Sequence, residues 1–262
     1  MIRRREFITL LGGAAAAWPG AAHAQRSVPV RRMGLLMPFP HGHPVGEARL
    51  AAFLDGLEHS GWTDGQNVRI DIRWAGGNAN DIRRHAGELA AAMPDVIIAF
   101  NSSAVAAARQ ATRTIPIVFT IVADPVGAGY VDSLAKPGGN ITGFLALEYA
   151  MSGKWLELLK EIVPRVTRVA VLRDSGIAGG PGQFGAIQAT AASFGVELRP
   201  VDLDRPGEIE HALTEFAGAS NIGLIVTGSP RASLNRDLIV RLAAKHKLPA
   251  VYYERFFVAA GA

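Results

Sequence analysis

The sequence predicts an α/β protein built as two doubly wound parallel-sheet lobes of the Rossmann-like kind. Three observations lead there. Short apolar runs of strand length alternate with helical stripes along the chain, and that alternation implies parallel sheets with right-handed crossovers. Several of the runs, such as residues 96–100, are apolar at every position, which marks strands buried on both faces. The pattern also occurs twice. Residues 115–125 and 248–254 each follow a basic helix end (Arg109 to Arg113; Lys245 to Lys247), and each has proline as its second residue. In open α/β sheets ligands bind beyond the carboxyl ends of strands. The polar stretch 120–125, expected to turn out of the sheet, therefore faces a site between the two lobes.

Composition supports this and narrows the function. Of 262 residues 49% are hydrophobic and 19% charged, enough for one large or two modest cores and unlike a disordered chain. The formal charge is +4, and Arg3, Arg4 and Arg5 against Glu6 supply about half of it. No basic cluster interleaved with aromatics follows, so no nucleic-acid partner is expected. The absence of cysteine excludes disulfides, Cys-ligated metals and a Cys nucleophile.

The chain opens with an export pattern. Arg4-Arg5-Glu6-Phe7-Ile8 precedes an apolar stretch over 9–18 and then Ala22-His23-Ala24. This is a charged n-region, a short h-region and an A-x-A cleavage site, and the arginine pair resembles a twin-arginine (Tat) signal. The apolar run is too short to span a bilayer. Residues 1–24 are expected to be a signal peptide cleaved after Ala24, which places the mature chain in the periplasm.

In the first lobe (residues 30–145), 33–37 reads as a strand with a proline-rich exit loop over 38–44. Residues 47–60 read as a helix, with Leu50, Phe53, Leu54 and Leu57 inward and Gly61 ending it. Residues 67–74 alternate like an edge strand. Asn80 or Asp81 is expected to cap a helix with the stripe Ile82, Ala86, Leu89 and Met93. Strands follow over 96–100, 115–119 and 141–145, with an Ala-rich helix after the first of them. Asn101-Ser102-Ser103 starts that helix, where hydroxyl residues act as caps or, with free backbone N–H groups, as an anion site; the cap reading is favoured.

The second lobe (residues 146–262) repeats the pattern. A helix over 154–163 is expected to turn Trp155, Leu158, Leu159 and Ile162 inward. Strands are expected over 169–172, 196–201, 222–226 and 248–253. Helices between them carry Ile187 and Ala191, then Ile209, Leu213 and Phe216, then Leu238, Ile239 and Leu242. Gly179-Gly180-Pro181-Gly182 lacks the Gly-Lys-Ser/Thr of a phosphate-binding loop and is read as a turn. His41 and His43 have no acidic or Cys cluster near them in sequence, so no metal site is expected.

Four segments then point to a known family. Gly61-Trp62-Thr63-Asp64-Gly65-Gln66-Asn67-Val68, Val122-Ala123-Asp124-Pro125-Val126-Gly127, Lys136-Pro137-Gly138-Gly139-Asn140-Ile141-Thr142-Gly143 and Gly153-Lys154-Trp155-Leu156-Glu157-Leu158-Leu159-Lys160 resemble the ABC-transporter substrate-binding family, which includes tryptophan- and tyrosine-binding lipoproteins. The resemblance implies a type I periplasmic-binding-protein fold without a cofactor. It also implies capture of a small solute, an amino acid or similar organic anion, by hinge closure. The partner would be an ABC permease in the inner membrane, and the chain a monomer. Family members continue past residues 256–261 through another hinge strand and further helices. The last hinge segment is therefore expected to be missing, leaving an unpaired sheet edge, exposed apolar surface and weak solute binding.

Site candidates are the exit loops. Ser102 and Ser103 match the position where amino-acid-binding relatives hold a carboxylate. Asp124 and Asp174 are candidates for the solute ammonium, or braces for their own loops. Phe39, Tyr252 and Tyr253 are candidate apolar walls, with one tyrosine assigned to core because neighbours in a strand point to opposite faces. Thr227 is a further hydrogen-bond candidate. An exported ligand-sensing module or a cofactor-free enzyme on the same fold are the alternatives. Against an enzyme stands the absence of Gly-x-Gly-x-x-Gly, Gly-x-Ser-x-Gly and HExxH patterns.

Overall fold

The computed structural model describes residues 30–261, so the expected signal peptide lies outside the described residues. Two sheets account for the strands. The first contains β1 (Arg31–Met37), β2 (Val68–Trp74), β3 (Val96–Phe100), β4 (Ile117–Ala123) and β5 (Ile141–Leu147), in the order β2-β1-β3-β4-β5. The second contains β6 (Arg168–Arg173), β7 (Glu197–Asp202), β8 (Ile222–Val226) and β9 (Ala250–Tyr252), in the order β7-β6-β8-β9. Every strand pair is parallel.

The crossovers run through helices on both faces. In the first half these are α1 (Pro44–His59), α2 (Ala79–Ala91) and α3 (Asn101–Ala111). The second half has α4 (Met151–Ile162), α5 (Gly179–Ala191), α6 (Pro206–Phe216), α7 (Pro230–Leu234), α8 (Arg236–Lys245) and α9 (Phe256–Ala259). Alternate residues of one strand serve opposite cores. Leu36, Ile97 and Phe119 meet α2 and α3, while Leu35, Met37 and Ile98 share a cluster with Leu50 of α1. Ala170, Leu172 and Leu224 meet α6 and α8; Val169, Val171 and Ile225 meet α4 and α5. This two-sided burial explains why the strands read as continuous apolar runs.

Several local expectations need correction. The cap of α2 is Asn78, not Asn80 or Asp81; its side chain accepts from the backbone N–H groups of both. Met93 falls beyond that helix, at φ 49° and 78% exposed. Strand β4 does not turn outward at Thr120 but continues to Ala123 through a bulge, with Ile121 at φ 57°. In α4 the buried pair is Leu156 and Leu159, whereas Leu158 and Ile162 are 47% and 66% exposed. The buried face of that helix also takes in Ser152 and Gly153 and is rotated off the centre of the apolar stripe, so periodicity alone did not select it.

The glycine run at 179–182 is the first turn of α5 rather than a loop turn. A Cβ on Gly180 would stand 1.8 Å from the Asp174 carbonyl oxygen, and one on Gly182 would stand 2.3 Å from the Tyr149 ring. These glycines permit a close approach that larger residues forbid. Gly61, at φ 83°, closes α1 as expected, with the Trp62 N–H reaching back to the Leu57 carbonyl. Strands β5 and β9 form sheet edges among the described residues, and Phe144 on β5 is 75% exposed.

Two glycines provide a matched test. Gly180→Ala is expected to cost about 1–3 kcal/mol through overpacking. Gly87→Ala, inside α2 with open space around it, should gain about 0.5–1 kcal/mol from helix propensity. Urea titration of both variants measures the difference.

Candidate functional site

The exits of β3, β4 and β5 in the first sheet face those of β6, β8 and β9 in the second. Between them lies a cavity of about 180 Å³. The first sheet contributes Asn101 and Ser102 at the start of α3, Ile121 from the bulge, and Arg49 from α1. The second contributes Ile177, Ser229, Tyr253 and Glu254. A neighbouring cavity of about 180 Å³ lies on the other side of Ile177 and Pro230, which line both, and holds Ser103, Asp174 and Arg231.

Two unusual backbone positions shape the first cavity. Asn101, at φ 68°, turns its Oδ1 to accept from both the Ser103 N–H (3.0 Å) and the Ser103 hydroxyl (2.9 Å). Asparagine tolerates this region, whereas a β-branched isoleucine at φ 57° does not. Such strain persists only where the surroundings enforce it, and it clusters at functional sites. The bulge at Ile121 moves that side chain out of the alternation and into the cavity wall.

The charged groups form a pair across the cleft. Arg49 Nη2 donates to Glu254 Oε1 at 3.1 Å and Oε2 at 3.2 Å. The two side chains are 18% and 32% exposed. Burial pushes the Glu254 carboxyl up, and the Arg49 guanidinium opposes the shift without cancelling it. Beneath Arg49 the buried Phe39 ring stands 5.6 Å from the guanidinium carbon.

The expected site residues separate into groups. Ser102 and Tyr253 line the Glu254 cavity; the Tyr253 hydroxyl is 2.7 Å from Ser233 Oγ, and burial raises its pKa. Ser103 and Asp174 line the neighbouring cavity. Asp174 is 2% exposed, pairs with Arg231 at 2.9 Å and accepts from the Gly176 N–H. Burial raises its pKa and Arg231 counters it. Phe39 sits in the core below Arg49, stacked on His43. Tyr252 stacks on Phe257 within the core of the second sheet.

Asp124 and Thr227 are engaged locally. Asp124 Oδ1 accepts from the Gly127 N–H at 2.7 Å, and its Oδ2 accepts from the Tyr149 N–H at 3.4 Å. It thereby ties the β4 exit to the segment leading out of β5. Burial, then Asp124, pushes the Tyr149 hydroxyl up to about 12. Thr227, fully buried, donates to the Leu172 carbonyl at 2.9 Å.

Arg49, Ile121 and Glu254 were not singled out from sequence, and Asn101 was named only as the start of α3. Glu254 ends the second copy of the strand-exit pattern, which was enough to find it. Arg49 sits on a helix flank, and Ile121 depends on a bulge, so neither carried a signal. Among the described residues no helix is long and apolar enough to cross a membrane, and no group of three His, Cys, Asp or Glu side chains could hold a metal ion.

Comparisons with known proteins agree on the family. The family model described as "ABC transporter substrate binding protein" matches residues 40–262. A tyrosine-binding protein from Clostridioides difficile (strain R20291) is 28% identical over 220 residues, 84% of this chain and 63% of that protein. The chain thus spans less than two thirds of that relative's length. A conserved domain protein from Vibrio cholerae has a TM-score of 0.79 and 28% identity, covering 89% of this chain and 77% of that one. The ABC domain in complex with L-Trp from Streptococcus pneumonia also has a TM-score of 0.79, covering 88% and 77%; at 24% identity it shows a likeness of fold.

Thr227→Val is expected to cost about 1 kcal/mol of stability while leaving solute affinity within about twofold, because its hydroxyl serves the sheet. Denaturant titration and calorimetric binding on the same variant check both halves.

Proposed function

The chain belongs to the ABC transporter substrate-binding protein family, and from that premise we propose that it is the solute-capturing component of an importer. Residues 30–145 and 146–262 act as two lobes that close on a hinge over a small amino acid. The loaded form docks on an inner-membrane permease. The protein works as a periplasmic monomer, exported through the leader at residues 1–24, and carries out no chemical step on the solute.

One observation carries the choice of solute: Ser102 and Glu254, from opposite sheets, line the same cavity. A carboxylate suits the Ser102 hydroxyl and the amino-terminal end of α3, where backbone N–H groups and the helix dipole favour negative charge. An ammonium suits Glu254. Ile121, Ile177 and Tyr253 supply an apolar wall for the side chain. At about 180 Å³ the space is below the usual range of roughly 300–1,000 Å³ for drug-sized ligands, which favours a single small solute. All thirteen lining residues lie between positions 49 and 254.

The test is thermal melting of the chain with each of the twenty amino acids and with benzoate. A solute at a hundred times its Kd adds about 2.7 kcal/mol, which raises Tm by roughly 5–10 °C for a chain of this size. A shift with one or a few amino acids is expected. No shift with any of them contradicts the reading.

Affinity should also depend on pH in a defined direction. Burial raises the Glu254 pKa above its ordinary value of 4.5, so acidification neutralises it sooner than a free glutamate. Binding of an amino acid should weaken as pH falls through that raised pKa. In Glu254→Gln the same titration should be flat over that window.

A further inference from the structure

We propose that the Arg49–Glu254 ion pair is an exchange gate that admits only solutes carrying both an ammonium and a carboxylate. The solute splits the pair: its ammonium replaces Arg49 on Glu254, and its carboxylate, held at Ser102 by one oxygen, offers the other as the acceptor that Arg49 loses. This rests on the solute reading above and makes Arg49 a specificity-determining residue.

The geometry favours exchange over a permanent brace. One nitrogen, Nη2, serves both Glu254 oxygens at 3.1 and 3.2 Å, rather than two nitrogens in the stronger fork-to-fork arrangement. Arginine has five N–H donors. Among the described residues Glu254 is the acceptor Arg49 uses, so donors remain for a solute in the cavity that Arg49 lines.

Neither charge can simply be abandoned. The Arg49 side chain is 18% exposed and its guanidinium rests over the buried Phe39 ring, which restrains it from swinging into water. Glu254 is 32% exposed and already disfavoured in its charged form by burial. Removing one partner of a buried pair costs far more than replacing both. A simple carboxylate that takes Arg49 strands Glu254 and sets two like charges together. A simple amine that takes Glu254 strands Arg49. A zwitterion satisfies both, so discrimination comes from the penalty on the wrong solutes as well as attraction to the right one.

The test uses calorimetry on the chain with the amino acid that shifts the melt most, its decarboxylated amine and its deaminated acid. For L-tyrosine these are tyramine and 3-(4-hydroxyphenyl)propanoate. The unaltered chain is expected to bind the amino acid at least about a hundredfold more tightly than either analogue. Glu254→Gln frees Arg49 and should strengthen binding of the acid at least about tenfold; Arg49→Gln frees Glu254 and should do the same for the amine. The double variant keeps no lone charge and should bind all three weakly and within about fivefold of one another. If the variants leave the order of the three ligands unchanged, or weaken all three equally, the gate is overturned while the amino-acid reading stands. If the unaltered chain binds no amino acid, the reading itself fails and takes the gate with it.

Discussion

Strands that run parallel cannot be joined by tight hairpins, so each return passes through a crossover before the next strand begins. All the strand pairs here obey that constraint. It puts the carboxyl ends of one sheet along a single edge, and the loops leaving that edge are free of the packing that fixes the strands. With two such sheets set edge to edge, the loops face each other. Ser102, Ile121, Ile177 and Glu254 come from distant parts of the chain and meet for this reason. The core explains little about the solute, but it holds the loops that do.

Two ion pairs in the cleft illustrate how similar interactions serve different ends. Asp174 is nearly fully buried, and both Arg231 and the Gly176 N–H hold it within the second half of the chain. Loss of either partner leaves a buried charge and weakens the fold. Arg49 and Glu254 lie on opposite sides of the cleft, more exposed and joined through one nitrogen. In a half-buried pair desolvation offsets much of the attraction, so the net gain in stability is small even though losing one partner is costly. Its value is in setting which charges a solute must bring. Asp124 plays a third part, bracing the exit of β4 against the segment that leaves the first sheet.

Much of this was readable from sequence because parallel strands leave a strong trace. Residues 96–100 and 222–226 are apolar throughout and are strands with those limits. The alternation of Val68, Ile70 and Ile72 placed β2 at a sheet edge, where it lies. The failures have physical causes. Helix α4 buries a face rotated toward Ser152 and Gly153, so the apolar stripe points Leu158 and Ile162 inward although they are exposed. A glycine run reads as a turn until the neighbour it accommodates, the Asp174 carbonyl, is known. In the site, Ser102 and Tyr253 were reachable from strand-exit logic. Arg49 was not, because it approaches the cavity from a helix side. Nor was Ile121, whose direction is set by a bulge that no local pattern announces.

The proposal that a crystal can test most directly is that the solute sits between the two sheets, bounded by Ser102 on one side and Glu254 on the other. The direct measurement is a crystal structure of the chain grown with the amino acid that stabilises it most. Solute density is expected in the Glu254 cavity, with its ammonium within hydrogen-bond distance of the Glu254 carboxylate and Arg49 moved off that carboxylate. Density in the neighbouring Asp174 cavity, or on the outer surface with the Arg49–Glu254 pair intact, would contradict it.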